Sequence, residues 1–125
     1  MNILLLIFIG AGLGGVCRYA VSNATYLFLN TNFPYGTLIV NVSGCFIMGI
    51  LFVFILDRLN EAAPQLRALL LVGFLGGYTT FSSFSIETIS LLENAEYMKA
   101  FLNIFLSTTL CLIAAWAGVI IGRQI

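Results

Sequence analysis

The chain is a succession of apolar stretches that only three short polar segments interrupt: NTNFPYG at 30–36, DRLNEAAPQLR at 57–67 and ENAEYMK at 93–99. A helix needs about 20 mostly apolar residues to cross a bilayer. The stretches between the interruptions, at 3–29, 36–56, 68–92 and 100–122, all reach that length. Only 8% of the 125 residues are charged, against about 25% in a soluble domain, which is too few to coat a water-facing surface. The sequence therefore predicts an all-α membrane protein, a single domain of four transmembrane helices over 1–125. MNILLLIFIG has no basic leader and no small-residue cleavage site, so it reads as a retained first span rather than a removable signal.

What charge there is cancels. Asp57, Glu61, Glu87, Glu93 and Glu96 stand against Arg18, Arg58, Arg67, Lys99 and Arg123, leaving no footprint for nucleic acid. Cys17, Cys45 and Cys111 are far apart, inside apolar runs and without a histidine anywhere in the chain. They read as small packing residues rather than zinc ligands. No nucleophile–base pairing can be assembled either, so an enzyme is not expected.

With four spans, the N-terminus, the 57–67 connection and the C-terminus share one side. Arg58, Arg67 and Arg123 lie there; Lys99 and Arg18 are assigned to the other. Orientation follows the Lys/Arg difference between sides, and three against two leaves both a single orientation and a dual one open. Dual insertion would permit an antiparallel homodimer. Helices pack about 8–10 Å apart, so four of them enclose side chains and hardly a pore. Any conduit is expected in an oligomer, and the glycines of GAGLGG (10–15) suit either contact between chains or packing within one.

GFLGGYTTFSSFS, at 73–85, is out of character for a lipid-crossing helix. Paired glycines and β-branched threonines are poor helix formers, and a break at Gly76–Thr79 would leave carbonyl oxygens suited to a small hard cation. The competing reading is a tight helix crossing. Phe81 and Phe84 share a helical face and carry positive ring edges that favour an anion, or they are simply packing. Asn41 in the second span, and Asn103, Ser107 and Cys111 at four-residue spacing in the fourth, offer hydrogen bonds without charge. These serve a solute or join helices. Arg18 either snorkels or makes a positive vestibule; Glu87 either snorkels at the opposite interface or is a proton or gating group.

Taken together, GAGLGGVCRY (10–19), YGTLIVNVSGCFIMG (35–49) and GFLGGYTTFSSFSIE (73–87) resemble the CrcB/Fluc fluoride channels, across all four spans in order. The resemblance implies a dual-topology antiparallel homodimer with two fluoride pathways, in the inner (plasma) membrane. It assigns the second-span asparagine to Asn41 and the pore phenylalanines to Phe81 and Phe84. It assigns carbonyl ligands of a central structural sodium ion to Gly76 and Thr79, and the following glutamate to Glu87. The fourth-span track, usually a tyrosine followed by serines, falls on Asn103, Ser107 and Cys111, where the match is weaker. Hydroxyls of Ser107, Thr79 or Thr80 would help replace the water that fluoride gives up. Tyr78 receives no role. A small multidrug-type proton-coupled transporter is the first rival, but it needs a glutamate deep in the first span, where this chain has Arg18. A non-transporting membrane assembly subunit is the second, and it leaves the intramembrane phenylalanines, threonines and asparagine unexplained.

Overall fold

A computed structural model of the protein describes residues 2–125. The regular structure among the described residues is entirely helical. Helix α1 spans Ile3–Phe28, α2 spans Tyr35–Arg58 and α6 spans Tyr97–Gln124. Between α2 and α6 the third span runs Ala63–Glu93. It is assembled from α3 (Ala63–Leu66), a π-helical segment (Arg67–Leu75), α4 (Gly76–Tyr78) and α5 (Phe81–Glu93). Among the described residues four helices are thus long and apolar enough to cross a bilayer, and the chain is a multi-pass membrane protein.

The helices run further than the apolar stretches. Helix α2 carries on through Asp57 to Arg58, whose Nη1 donates to the Ile125 backbone oxygen at 2.6 Å. Pro64 is accepted in the first turn of α3, where its missing N–H has no helical partner to lose. Nothing outside the hydrocarbon obliges a helix to stop at its last apolar residue, so the connections shrink to 29–34, 59–62 and 94–96. The last is a compact reversal. Ala95 takes φ 59°, its N–H bonds Leu92 O at 3.1 Å, and Glu96 N–H bonds Leu91 O at 2.9 Å. This is a Schellman cap with alanine where glycine is usual.

Glycines set which helices touch. A Cβ on Gly10 would overlap the Leu69 carbonyl oxygen, one on Gly14 that of Phe74, and one on Gly77 that of Ala11. Helix α1 therefore lies backbone to backbone, and parallel, with the third span: Gly10 meets Gly73, and Gly14 meets Tyr78 one turn on. A Cβ on Gly49 would overlap Ala115 O and one on Gly118 would overlap Phe46 O, so α2 and α6 form a second parallel pair. Small residues permit the close approach by which helices gain dispersion contact in lipid. Gly10 and Gly14 of GAGLGG are used within the chain; a Cβ on Gly12 would meet nothing within 4 Å among the described residues. Val40, Ile55, Leu71, Leu75 and Tyr78 form the buried cluster where the two pairs meet.

The third span stays joined from end to end, with two irregularities. The π-helical turns come first, and then Thr79 (φ −79°, ψ 157°) and Thr80 (φ −151°, ψ 113°) leave the helical region for extended backbone.

Gly118→Ala and Gly12→Ala are expected to part company. The first forces α2 and α6 apart and should cost about 1–3 kcal/mol, the usual range for overpacking. The second adds a methyl in open space and should leave stability unchanged or raise it by up to about 1 kcal/mol, the helix preference for alanine over glycine. Denaturant unfolding in detergent micelles reads both. Equal losses would mean that glycine packing does not pair these helices.

Candidate functional site

A regular helix would send the Thr80 N–H to the carbonyl of Gly76, four residues back. Extended backbone at Thr79 and Thr80 makes that impossible, and an unpaired amide in a membrane interior is costly. Asn41 of α2 resolves it. Its Oδ1 accepts from Thr80 N–H at 2.8 Å, and its Nδ2 donates to Thr80 O at 3.0 Å. The carboxamide stands in for a peptide group and closes both backbone bonds of one residue.

The turns on either side are finished locally. Thr79 N–H and Oγ1 both donate to Leu75 O, at 3.0 and 2.8 Å. Thr80 Oγ1 accepts from Ser83 N–H at 3.1 Å and caps α5. The Gly76 carbonyl loses its usual donor to Asn41, and Gly76 itself is exposed on the chain surface. Gly44 makes room for the bend, because a Cβ there would overlap the Thr79 methyl. Tyr78 ties the bend down further. It is buried, its hydroxyl lies 2.9 Å from Ser43 Oγ, and its ring stacks on Phe74 with centroids 6.1 Å apart.

Beside the bend lies a cavity of about 310 Å³, walled by Asn41 and Cys45 of α2, Thr79 to Phe81 and Phe84 of the third span, and Ser107, Thr108, Cys111 and Leu112 of α6. No charged side chain reaches it. The hydroxyl protons of Thr79 and Thr108 are spent on Leu75 O and Ile104 O. Thr80 Oγ1 donates to Ser83 Oγ at 3.1 Å, which leaves, beside the two thiols, the second N–H of Asn41, and Ser107, whose bond to Asn103 Oδ1 is long at 3.4 Å. The Phe81 and Phe84 rings sit 5.4 Å apart, tilted at 48°, with Phe81 at the rim and 78% exposed.

A second cavity, of about 330 Å³, shares Thr80 with the first and is polar: Arg18, Ser22, Thr37, Ser83 and Glu87 face it. Thr37 Oγ1 donates to Glu87 Oε1 at 2.8 Å, while Glu87 Oε2 is buried without a partner among the described residues. Arg18 does not reach Glu87; the one ion pair among the described residues is Lys99–Glu96 at 3.2 Å. Glu87 also borders an outer pocket of about 220 Å³ with Tyr26, Asn32 and Ser90. Thr80 thus lines both the first and the second cavity, and Glu87 both the second and the third.

Residues 5–119 match the family described as CrcB-like protein, Camphor Resistance (CrcB). The chain belongs to this family. Over the full length of both chains it is 60% identical to the Fluoride-specific ion channel FluC of Coxiella burnetii (strain Dugway 5J108-111). It is 42% identical, again over the full length of both, to the protein of that name from Geobacter sulfurreducens (strain ATCC 51573 / DSM 12127 / PCA). A third relative of that name, from Methylococcus capsulatus (strain ATCC 33009 / NCIMB 11132 / Bath), is 48% identical over 100% of this chain and 55% of its own length. An ion channel is not an enzyme.

Of the residues the sequence singles out, this CrcB-family chain brings Asn41, Thr79, Thr80, Phe81, Phe84, Ser107 and Cys111 to one cavity. Arg18 and Glu87 share the next. Asn103 stands apart from the first wall. It is 2% exposed, and its Nδ2 donates to Thr88 Oγ1 at 2.9 Å, joining α6 to α5. Sequence reasoning passed over Thr37 and read Cys45 only as a small packing residue. Both repeat the four-residue spacing through Asn41 on α2, and that spacing was the available signal.

Asn41→Ala removes both partners of the Thr80 backbone at once. Each buried group left unsatisfied costs about 1–3 kcal/mol, so thermal unfolding of the detergent-solubilised protein should occur at markedly lower temperature. Asn41→Asp should not rescue it, since a carboxylate cannot donate to Thr80 O. A wild-type melting curve for Asn41→Ala would show that the bend holds without the clamp.

Proposed function

We propose that this chain is a fluoride-selective channel that lets fluoride leave the cell passively across the inner (plasma) membrane, with two pathways in an antiparallel homodimer. The observation that carries the reading is the full-length 60% identity to a relative named as a fluoride-specific ion channel.

The cavity chemistry supports it. Fluoride holds water tightly, so a selective path must supply replacement donors, yet must not hold the ion so firmly that it cannot leave. The free N–H of Asn41, the Ser107 hydroxyl and the ring edges of Phe81 and Phe84 provide donors without a full positive charge. Arg18 adds positive potential at the neighbouring cavity, where an anion would gather before meeting the rings. Glu87, which lines both that cavity and the outer pocket, would modulate access. Hydrogen fluoride, being uncharged, crosses lipid by itself; the anion formed inside needs a route out and no energy source.

Dimerisation suits two features of the single chain. Phe81 is 78% exposed, so its rim of the cavity is open until something covers it. Gly76 is exposed at the bend, so a two-fold axis in the membrane plane would bring two bends together. The carbonyls of Gly76 and Thr79 from both copies would then surround one point. Neutral oxygens without an acid fit a monovalent hard cation, and sodium is the proposed occupant. Bound there, it would supply a fixed positive charge that lowers the cost of an anion nearby in low dielectric.

Phe81→Ile and Phe84→Ile retain bulk and lose the ring edge. Each is expected to slow fluoride efflux from proteoliposomes by roughly tenfold or more, equivalent to about 1.4 kcal/mol on the barrier, with chloride efflux absent throughout. Wild-type rates in both variants at equal reconstitution would reduce the rings to packing. Exchanging sodium for a large organic cation throughout purification should abolish flux or dissociate the dimer. Full activity in sodium-free protein would remove sodium from the proposal.

A further inference from the structure

Two of the cavity's wall residues are chemically unlike the rest. Cys45 of α2 and Cys111 of α6 face the same space from helices that Gly49 and Gly118 hold in backbone contact. Gly49 lies against Ala115 O, and Cys45 and Cys111 each stand four residues before those two, so the parallel pairing sets the two cysteines at one level; both are free and half-buried. The third cysteine, Cys17 of α1, lies elsewhere, packed against the hydrophobic cluster. Two neighbouring thiols with no histidine or carboxylate beside them cannot build a tetrahedral zinc site, which requires four ligands. They do match the demands of a soft cation content with two sulfur ligands.

We propose that Cys45 and Cys111 form a two-coordinate site for a thiophilic monovalent cation of the copper(I) and silver(I) class, set in the wall of the cavity that Asn41 and Ser107 also line. Binding exchanges two S–H bonds for two metal–sulfur bonds and releases two protons to water. Neither the metal nor sulfur changes oxidation state. Two neutral thiols become a bis-thiolate complex of net charge −1, positioned on the same wall as Asn41 and Ser107. An anion entering that cavity then meets a like charge in low dielectric, together with the bulk of a metal ion. The site is therefore inhibitory, and this consequence rests on the fluoride-channel reading; metal binding itself does not.

Silver(I) is the probe, because silver fluoride is soluble and the assay can be run free of chloride. Intact-protein mass spectrometry under non-denaturing conditions should count one silver per chain in wild type and in Cys17→Ser, and none in Cys45→Ser or Cys111→Ser at the same concentration. In wild type, silver should protect Cys45 and Cys111, but not Cys17, from maleimide labelling, a readout that needs no variant to fold. In proteoliposomes silver should block wild-type fluoride efflux. Measured against each variant's own uninhibited rate, the half-blocking concentration should rise roughly 100-fold when either thiol of the pair is lost, the scale on which chelation by a second held ligand acts. Silver that follows Cys17, or equal inhibition in all variants, would overturn the site. One silver bound with undiminished flux would overturn the blockade. If the protein carried no fluoride at all, stoichiometry and labelling would still decide the metal site, and only the channel reading would fall.

Discussion

The two hydrogen bonds between Asn41 and Thr80 are the constraint on which the rest of the molecule hangs. A membrane interior offers no water to an amide that has left its helix, so the extended pair Thr79–Thr80 can persist only if protein supplies substitutes. One carboxamide does so from the facing helix. Everything distinctive about the cavity follows from the bend it holds. The bend aims α5 so that Phe81 and Phe84 reach the cavity, takes the Thr80 N–H away from the Gly76 carbonyl, and brings Thr80 to the wall of two cavities.

The clamp also joins two bodies that are otherwise built separately. Helix α1 and the third span are sealed by Gly10, Gly14 and Gly77; α2 and α6 are sealed by Gly49 and Gly118. Contact within each pair is backbone to backbone, and contact between them rests on larger side chains, Val40, Leu71, Leu75 and Tyr78 among them. Polar bonds cross that boundary at Asn41–Thr80, Ser43–Tyr78, Thr37–Glu87 and Thr88–Asn103. The cavities that Asn41 and Thr80 line open along this same seam.

Much of this was legible in the sequence, and the illegible parts have physical reasons. Span number follows from length and from the three polar interruptions. The shared face of Phe81 and Phe84 follows from three-residue spacing. The joined, bent form of the third span was harder to foresee, because Gly-Gly and Thr-Thr signal a weak helix without saying what will hold it. Asn41 was visible as a polar residue at depth, but its partner lies 39 residues away in sequence. Asn103 shows where periodicity misleads. Each step of four residues overshoots a full turn by about 40°, so a stripe at that spacing spirals. Ser107 and Cys111 reach the cavity wall while Asn103 has turned toward Thr88. Tyr78 could not be assigned because its value lies in a contact with Ser43 that no local pattern announces.

The position of the clamp also bears on how the chain is made. Synthesis delivers α2 before the third span, so Asn41 is already at depth when Thr79 and Thr80 leave the insertion machinery. The amide that cannot be satisfied within its own helix meets a waiting partner instead of crossing lipid bare. The reverse arrangement, with the carboxamide on α6 and the extended pair on an earlier span, would expose that pair until the rest of the chain had been synthesised. Chain order thus makes an irregular membrane helix insertable as well as stable once inserted.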